Sequence, residues 1–212
     1  MIQILFPLGV LSAVLFWWGF SHRGPSWPKT VIKTLPLAAL TGISVVEGLP
    51  GLLIVGLALS ALGDFALSRP GQRAFLVGLI SFALAHIAYI AVFAGVLAST
   101  WVLPPLWIMA VVVGLVVPAI PAFWRHAGAL KGPVAVYMIL IAAMVLTAGM
   151  HTDGGMTLVA GAVMFALSDF LLGVQMFRNL PPAWNAAASL VIWPLYILGQ
   201  VGIFFGVAMA TF

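Results

Sequence analysis

The sequence predicts an all-α membrane protein: a polytopic bundle of about eight transmembrane helices, forming a single integral membrane domain over residues 1–212. Three observations predict it. Of the 212 residues 64% are apolar and only 6% charged, and the mean hydropathy of +1.25 lies far outside the range of water-soluble domains. The apolar sequence divides into eight stretches of the length that crosses a bilayer, about 17 to 25 residues each. Every Lys and Arg falls in or beside the odd-numbered connections, an alternation that an odd number of spans would spoil.

The first stretch, near 2–20, lacks a basic beginning and runs into Trp17-Trp18 and Phe20-Ser-His-Arg23 instead of a small-residue cleavage site, so it reads as a retained span. The second, near 30–46, begins with Lys33 beside Pro36. The third, near 50–68, carries Asp64, and the fourth, near 74–97, carries His86 and Tyr89. The fifth, near 102–122, contains Pro118 and Pro121, which membrane helices tolerate. The sixth, near 133–150, carries Tyr137, and the seventh, near 155–177, carries Ser168 and Asp169. The eighth, near 185–210, holds Pro194, Tyr196 and Gln200, and its Gly202-Ile-Phe-Phe-Gly206 has the spacing of a close helix contact.

Arg23, Lys29 and Lys33 belong to the first connection, Arg69 and Arg73 to the third, Arg125 and Lys131 to the fifth, and Arg178 to the seventh. The even connections carry Glu47, Ser99-Thr100, and His151 with Asp153. The positive-inside rule then makes the odd connections cytoplasmic and both termini extracytoplasmic, in the cell inner membrane. The sequence pI near 10 does not indicate nucleic-acid binding, because the basic residues are dispersed and form no single run. With no cysteine, the chain offers no disulfide, thiolate nucleophile or Cys-based metal site. His22, His126 and His151 sit in connections on both sides, leaving His86 alone at depth, so three histidines cannot easily converge on zinc. A Gly-rich phosphate loop, a Gly-x-Ser-x-Gly elbow and a Ser-His-Asp constellation are also missing.

Two intramembrane acids stand out, in Ser60-Ala-Leu-Gly-Asp-Phe-Ala-Leu67 and Phe165-Ala-Leu-Ser-Asp-Phe-Leu-Leu172. A carboxylate in a lipid-embedded helix costs several kcal/mol, so it faces a bundle interior and marks a site. The third and seventh spans run in the same direction, each with its acid in the cytoplasmic half, and both acids could face one cavity. His86-Ile-Ala-Tyr89-Ile90 in the fourth span is echoed by Trp193-Pro-Leu-Tyr196-Ile197 in the eighth, which suggests a parallel four-plus-four repeat.

Each acid alone has a structural alternative, an interhelical hydrogen bond or an ion pair with Lys33, Arg69 or Arg73. Together they suit acid catalysis: desolvation keeps one protonated, and its ionised partner stabilises positive charge or orients water. The remaining candidates are few. His86 and Tyr89 share roughly one helical face, as do Tyr196 and Gln200, and each can equally serve buried hydrogen bonding. Lys33 falls where a lipid phosphate sits at the cytoplasmic interface, a place snorkelling also explains.

In order along the chain, Lys33 to Pro36, Leu59-Ser-Ala-Leu-Gly-Asp64, Phe82 to Tyr89 with His86, Tyr137, Gly161-Ala-Val-Met-Phe-Ala-Leu-Ser-Asp169 and Tyr196 to Gln200 resemble the YhhN family of membrane lysoplasmalogenases. Where that family commonly has Lys-Pro-Leu, this chain has Lys33-Thr-Leu-Pro36. The resemblance implies hydrolysis of the sn-1 vinyl ether of a lysoplasmalogen, releasing a fatty aldehyde and glycerophosphoethanolamine or glycerophosphocholine. That chemistry requires no metal or organic cofactor. It casts Asp64 and Asp169 as the catalytic pair, with Lys33, His86, Tyr89, Tyr137, Ser168, Tyr196 and Gln200 around the substrate. The partners are then a lysophospholipid substrate and the lipid bilayer, with no nucleic acid; the sequence sets no oligomeric state. The competing reading is a proton-coupled transporter of a small molecule or lipid, in which the two acids load and release protons.

Overall fold

The computed structural model describes residues 1–96, 102–150, 155–178 and 181–212. Ser99, Thr100, His151 and Asp153, which the sequence assigns to even-numbered connections, lie outside the described residues.

A chain in hydrocarbon has no water to satisfy its backbone N–H and C=O groups, so an apolar stretch closes its own hydrogen bonds as a helix. Among the described residues there are eight α-helices and no strand: α1 (Ile2–Gly19), α2 (Trp27–Val46), α3 (Gly51–Leu67), α4 (Gln72–Val96), α5 (Leu106–Trp124), α6 (Lys131–Gly149), α7 (Gly155–Phe177) and α8 (Pro182–Thr211). A 3₁₀ turn at Gly128–Leu130 leads into α6. Seven of the helices are long and apolar enough to cross a membrane; α3, with 17 residues, stands at the short end of the spanning range.

The boundaries lie within four residues of the sequence expectation. The departure at α2 has a local cause. Its N-cap is Ser26, whose Oγ accepts from the Lys29 N–H, and Pro28 supplies a helix-ready φ in the first turn. The helix therefore starts at Trp27, and Lys33 lies nearly two turns inside it instead of at its beginning. The helices α5 and α8 run unbroken through Pro118, Pro121 and Pro194. Large apolar side chains such as Leu11, Val55, Leu62, Ile80, Val113, Ile139 and Leu198 are exposed, the arrangement that lipid favours and water does not.

Residues 1–92 and 93–210 form two compact units. In the first, α1 packs on α2 and α2 on α3. On α3, glycine makes room for rings from α4: a Cβ at Gly56 would stand 2.4 Å from the Tyr89 ring, and one at Gly63 would stand 2.5 Å from Phe82. Both rings are buried there. In the second unit, α5, α6 and α7 pack together, with Phe123 against Phe170 and Phe177 at centroid separations of 5.9 and 5.8 Å. An apolar groove of about 480 Å³ between α5 and α6 passes Ile120, Phe123, Met138 and Ala142, with Lys131 along its wall.

The α7 and α8 backbones approach closely because small residues meet. A Cβ at Gly202 would lie 2.7 Å from Gly161 Cα, and one at Gly206 would lie 2.6 Å from Leu158 Cβ. The spacing of Gly202 and Gly206 in the sequence thus marks a helix contact, as expected.

Candidate functional site

Asp64 is almost wholly buried on α3, where a lone carboxylate would be costly. Its charge is met from α2: Lys33 Nζ stands 3.1 Å from Oδ1, with side-chain exposures of 16% and 2%. Of the three cations the sequence offered to Asp64, the one on the neighbouring helix is its partner. One turn along, toward the start of α2 and the end of α3, Ser68 Oγ lies 2.8 Å from Thr30 Oγ1, and both residues are buried. The Thr30 hydroxyl donates to the Ser26 carbonyl at 3.0 Å and accepts from Arg69 Nη1 at 3.4 Å. Arg69 also lies 4.0 Å over the Trp27 ring, and Trp27 in turn meets Phe65. A continuous polar seam therefore joins α2 to α3: Arg69 outermost, then Thr30 with Ser68, then Lys33 with Asp64.

One turn back along α3 from Asp64, Ser60 Oγ lies 3.4 Å from the Tyr89 hydroxyl, so Tyr89 reaches the helix that carries Asp64. His86 is fully buried, and its Nδ1–H donates to the Phe82 carbonyl at 2.7 Å, one turn back on α4. With the proton on Nδ1, Nε2 is the accepting nitrogen whenever the ring is neutral.

Asp169 is half-buried on α7. Its Oδ2 accepts a 2.6 Å hydrogen bond from the Tyr137 hydroxyl of α6. Ser168, which stands where the other motif has Gly63, is buried and donates to the Phe165 carbonyl of its own helix at 2.8 Å. From α8, Tyr196 packs on Phe165 and Trp193 at 5.6 and 5.7 Å, and Gln200 is fully buried one turn further on.

The structure thus joins Lys33 to Asp64, Ser60 to Tyr89, Tyr137 to Asp169 and Tyr196 to Phe165. Asp64 and Asp169 belong to different units. Thr30, Ser68, Arg69 and Trp27 were missing from the sequence's site residues. The signal was present in the helical spacing, since Trp27, Thr30 and Lys33 recur every third residue and Asp64 precedes Ser68 by one turn. Among the described residues, no group of three His, Asp or Glu side chains comes together as a metal site would need.

Arranged this way, the two acids have different chemical means. Asp64 lies beside the Lys33 side-chain nitrogen, and Asp169 accepts from the Tyr137 hydroxyl.

Comparison with known proteins places the chain in a family. A protein of Mycobacterium bovis named lysoplasmalogenase is 34% identical over 164 residues, which cover 73% of this chain and 60% of that protein. The chain thus matches less than two thirds of the mycobacterial relative's length. Human lysoplasmalogenase TMEM86A is 30% identical over 195 residues, 82% of this chain and 77% of the relative. The Escherichia coli membrane protein YhhN, uncharacterised by name, is 28% identical over 180 residues, 80% of this chain and 84% of the relative. No solved structure matches. The model of the YhhN family matches residues 28–207, nearly the full length, and the chain belongs to that family.

Proposed function

We propose that this protein is a membrane hydrolase that cleaves the sn-1 vinyl ether bond of lysoplasmalogens, yielding a fatty aldehyde and glycerophosphoethanolamine or glycerophosphocholine. The observation that carries the reading is the pair of intramembrane aspartates with unlike partners, Asp64 on Lys33 and Asp169 on Tyr137, in a chain whose relatives include proteins named lysoplasmalogenase.

The chemistry begins with a proton delivered to the β-carbon of the vinyl ether, which leaves an oxocarbenium ion. Water adds to the cationic carbon and loses a proton, giving a hemiacetal. Collapse of the hemiacetal breaks the bond from that carbon to the glycerol oxygen, which takes up a proton as the alcohol, and the carbon becomes the aldehyde. Two carboxyl groups meet these needs. Lys33 favours the ionised form of Asp64, which suits it to stabilise the cation and guide water. Asp169 is assigned the proton donor because its partner is an uncharged phenol, whereas Asp64 faces an ammonium group. Tyr89, His86, Tyr196, Gln200 and Ser168 complete the surroundings as shaping and positioning residues.

Lysolipids are presented by the bilayer itself. The basic odd-numbered connections favour a protein of the cell inner membrane with both termini extracytoplasmic, so the headgroup end of the site faces the cytoplasm. Asp64→Asn and Asp169→Asn keep size and hydrogen bonding while abolishing acidity. The test is aldehyde release from a lysoplasmalogen by the purified, folded variants. Each is expected to lose activity by a factor of about 100 or more. Parent-level release by either would sink the mechanism, and an intact lipid with parent protein would favour the proton-coupled transporter instead.

A further inference from the structure

The outer half of the α2–α3 seam has no task in the hydrolysis just described, yet it is built for an anion. Arg69 carries five N–H donors in a planar fork. Within the described residues it meets one hydroxyl, Thr30 Oγ1 at 3.4 Å, and the face of Trp27, and no carboxylate pairs with it. Charge along the seam is unequal: Lys33 is matched by Asp64, and Arg69 is left over. Of the other cations at this end, Lys29 turns to the Arg23 carbonyl and the Phe16 ring and Arg23 to Phe20, while Arg73 stands at the start of α4. Glu47 caps the opposite end of α2. Beside Arg69, the buried hydroxyls of Thr30 and Ser68 lie 2.8 Å apart. Ser68 and Arg69 follow the last residue of α3, and Trp27 opens α2, so this is the membrane-edge end of both helices.

We propose that Arg69, with Thr30 and Ser68, binds the phosphodiester of the lysolipid headgroup. The proposal rests on the hydrolase reading for the identity of the ligand, and the geometry gives it a length check. Ser68 and Asp64 are separated by one turn of α3, about 5 to 6 Å along the axis. A glycerol backbone, with phosphate on one terminal carbon and the vinyl ether on the other, spans a comparable distance. A phosphate on Arg69 therefore sets the ether at the level of the Lys33–Asp64 pair. The guanidinium fork fits two phosphate oxygens, and Trp27 beneath it holds its plane.

The experiment compares parent and Arg69→Gln, in lipid nanodiscs, on two substrates: an alkenyl lysophospholipid and the corresponding alkenylglycerol, which has no phosphate. The variant should raise KM for the phosphorylated substrate about tenfold to a hundredfold, the size of one or two charge-assisted hydrogen bonds, with kcat within about threefold. On the alkenylglycerol, parent and variant should match. Arg69→Lys should recover part of the lost affinity, since it restores charge without the fork. An equal loss on both substrates, or an unchanged KM on the phosphorylated one, would overturn the proposal. Inorganic phosphate should leave the parent's KM unchanged; competition by it would overturn the assignment to a lipid headgroup.

Binding of an uncleavable alkyl-ether lysophospholipid separates this proposal from the hydrolase reading. If neither substrate yields aldehyde, the hydrolase reading fails. The seam is still supported if the parent binds that analogue about tenfold or more tighter than Arg69→Gln does, and overturned if the two bind it equally.

Discussion

Asp64 and Asp169 stand in nearly the same eight residues, yet their surroundings differ. In the first unit the acid is buried and paired with an ammonium group; in the second it is half-buried and held by a phenol. Both partners come from the helix preceding the acid, and each is the seventh residue of that helix, Lys33 in α2 and Tyr137 in α6. The geometry of the pairing is thus repeated while its chemistry is not. Under the proposed mechanism the two acids take different roles, one as the anion and the other as the proton donor.

The residue before each acid shows the same divergence. Gly63 leaves space for the Phe82 ring, whereas Ser168 fits among its neighbours and bonds to its own helix. So α3 has given up a side chain to bring α4 near, while the second unit achieves close approach through Gly161, Gly199 and Gly202 between α7 and α8.

Substitutions that exchange or erase these differences should act unequally. The two Asp→Asn changes have the largest effect, with aldehyde release falling by a factor of about 100 to 10,000. Next is Lys33→Met, which leaves the Asp64 carboxylate buried without its cation. It should destabilise the protein by about 3 kcal/mol or more in denaturant titrations, and Asp64→Asn in the same background should recover much of that loss. Gly63→Ser, which copies the second motif into the first, forces a Cβ against Phe82 and should cost about 1 to 3 kcal/mol by the same assay. Tyr137→Phe removes one hydrogen bond to Asp169 and should cost about 1 kcal/mol. Ser168→Ala is the smallest change, within about 0.5 kcal/mol, since it deletes only a bond to the Phe165 carbonyl of its own helix.

Much of the fold was legible because a lipid solvent leaves so few options: the eight apolar stretches correspond to the eight α-helices among the described residues, and prolines inside them did not break them. The acids were legible for the same reason, as charges where charge is costly. Their partners were harder to read. Lys33 looked like a contact for lipid phosphate, because its depth depends on where α2 begins, and that is set by Ser26 and Pro28 outside the apolar stretch. Thr30 and Ser68 were missed because a hydroxyl in a helix usually bonds back to its own backbone, as Thr34, Thr41 and Ser44 do here. Only the packing of α2 on α3 distinguishes those two from the rest. Arg69 was counted as topology, and its place over Trp27 depends on that same packing.

The central claim is that an acid protonates carbon. Turnover of a lysoplasmalogen by the purified protein in heavy water, with the aldehyde trapped as it forms and examined by mass spectrometry, tests it most directly. The account predicts one deuterium per aldehyde, on the carbon next to the carbonyl; unlabelled aldehyde, or none released at all, would contradict it.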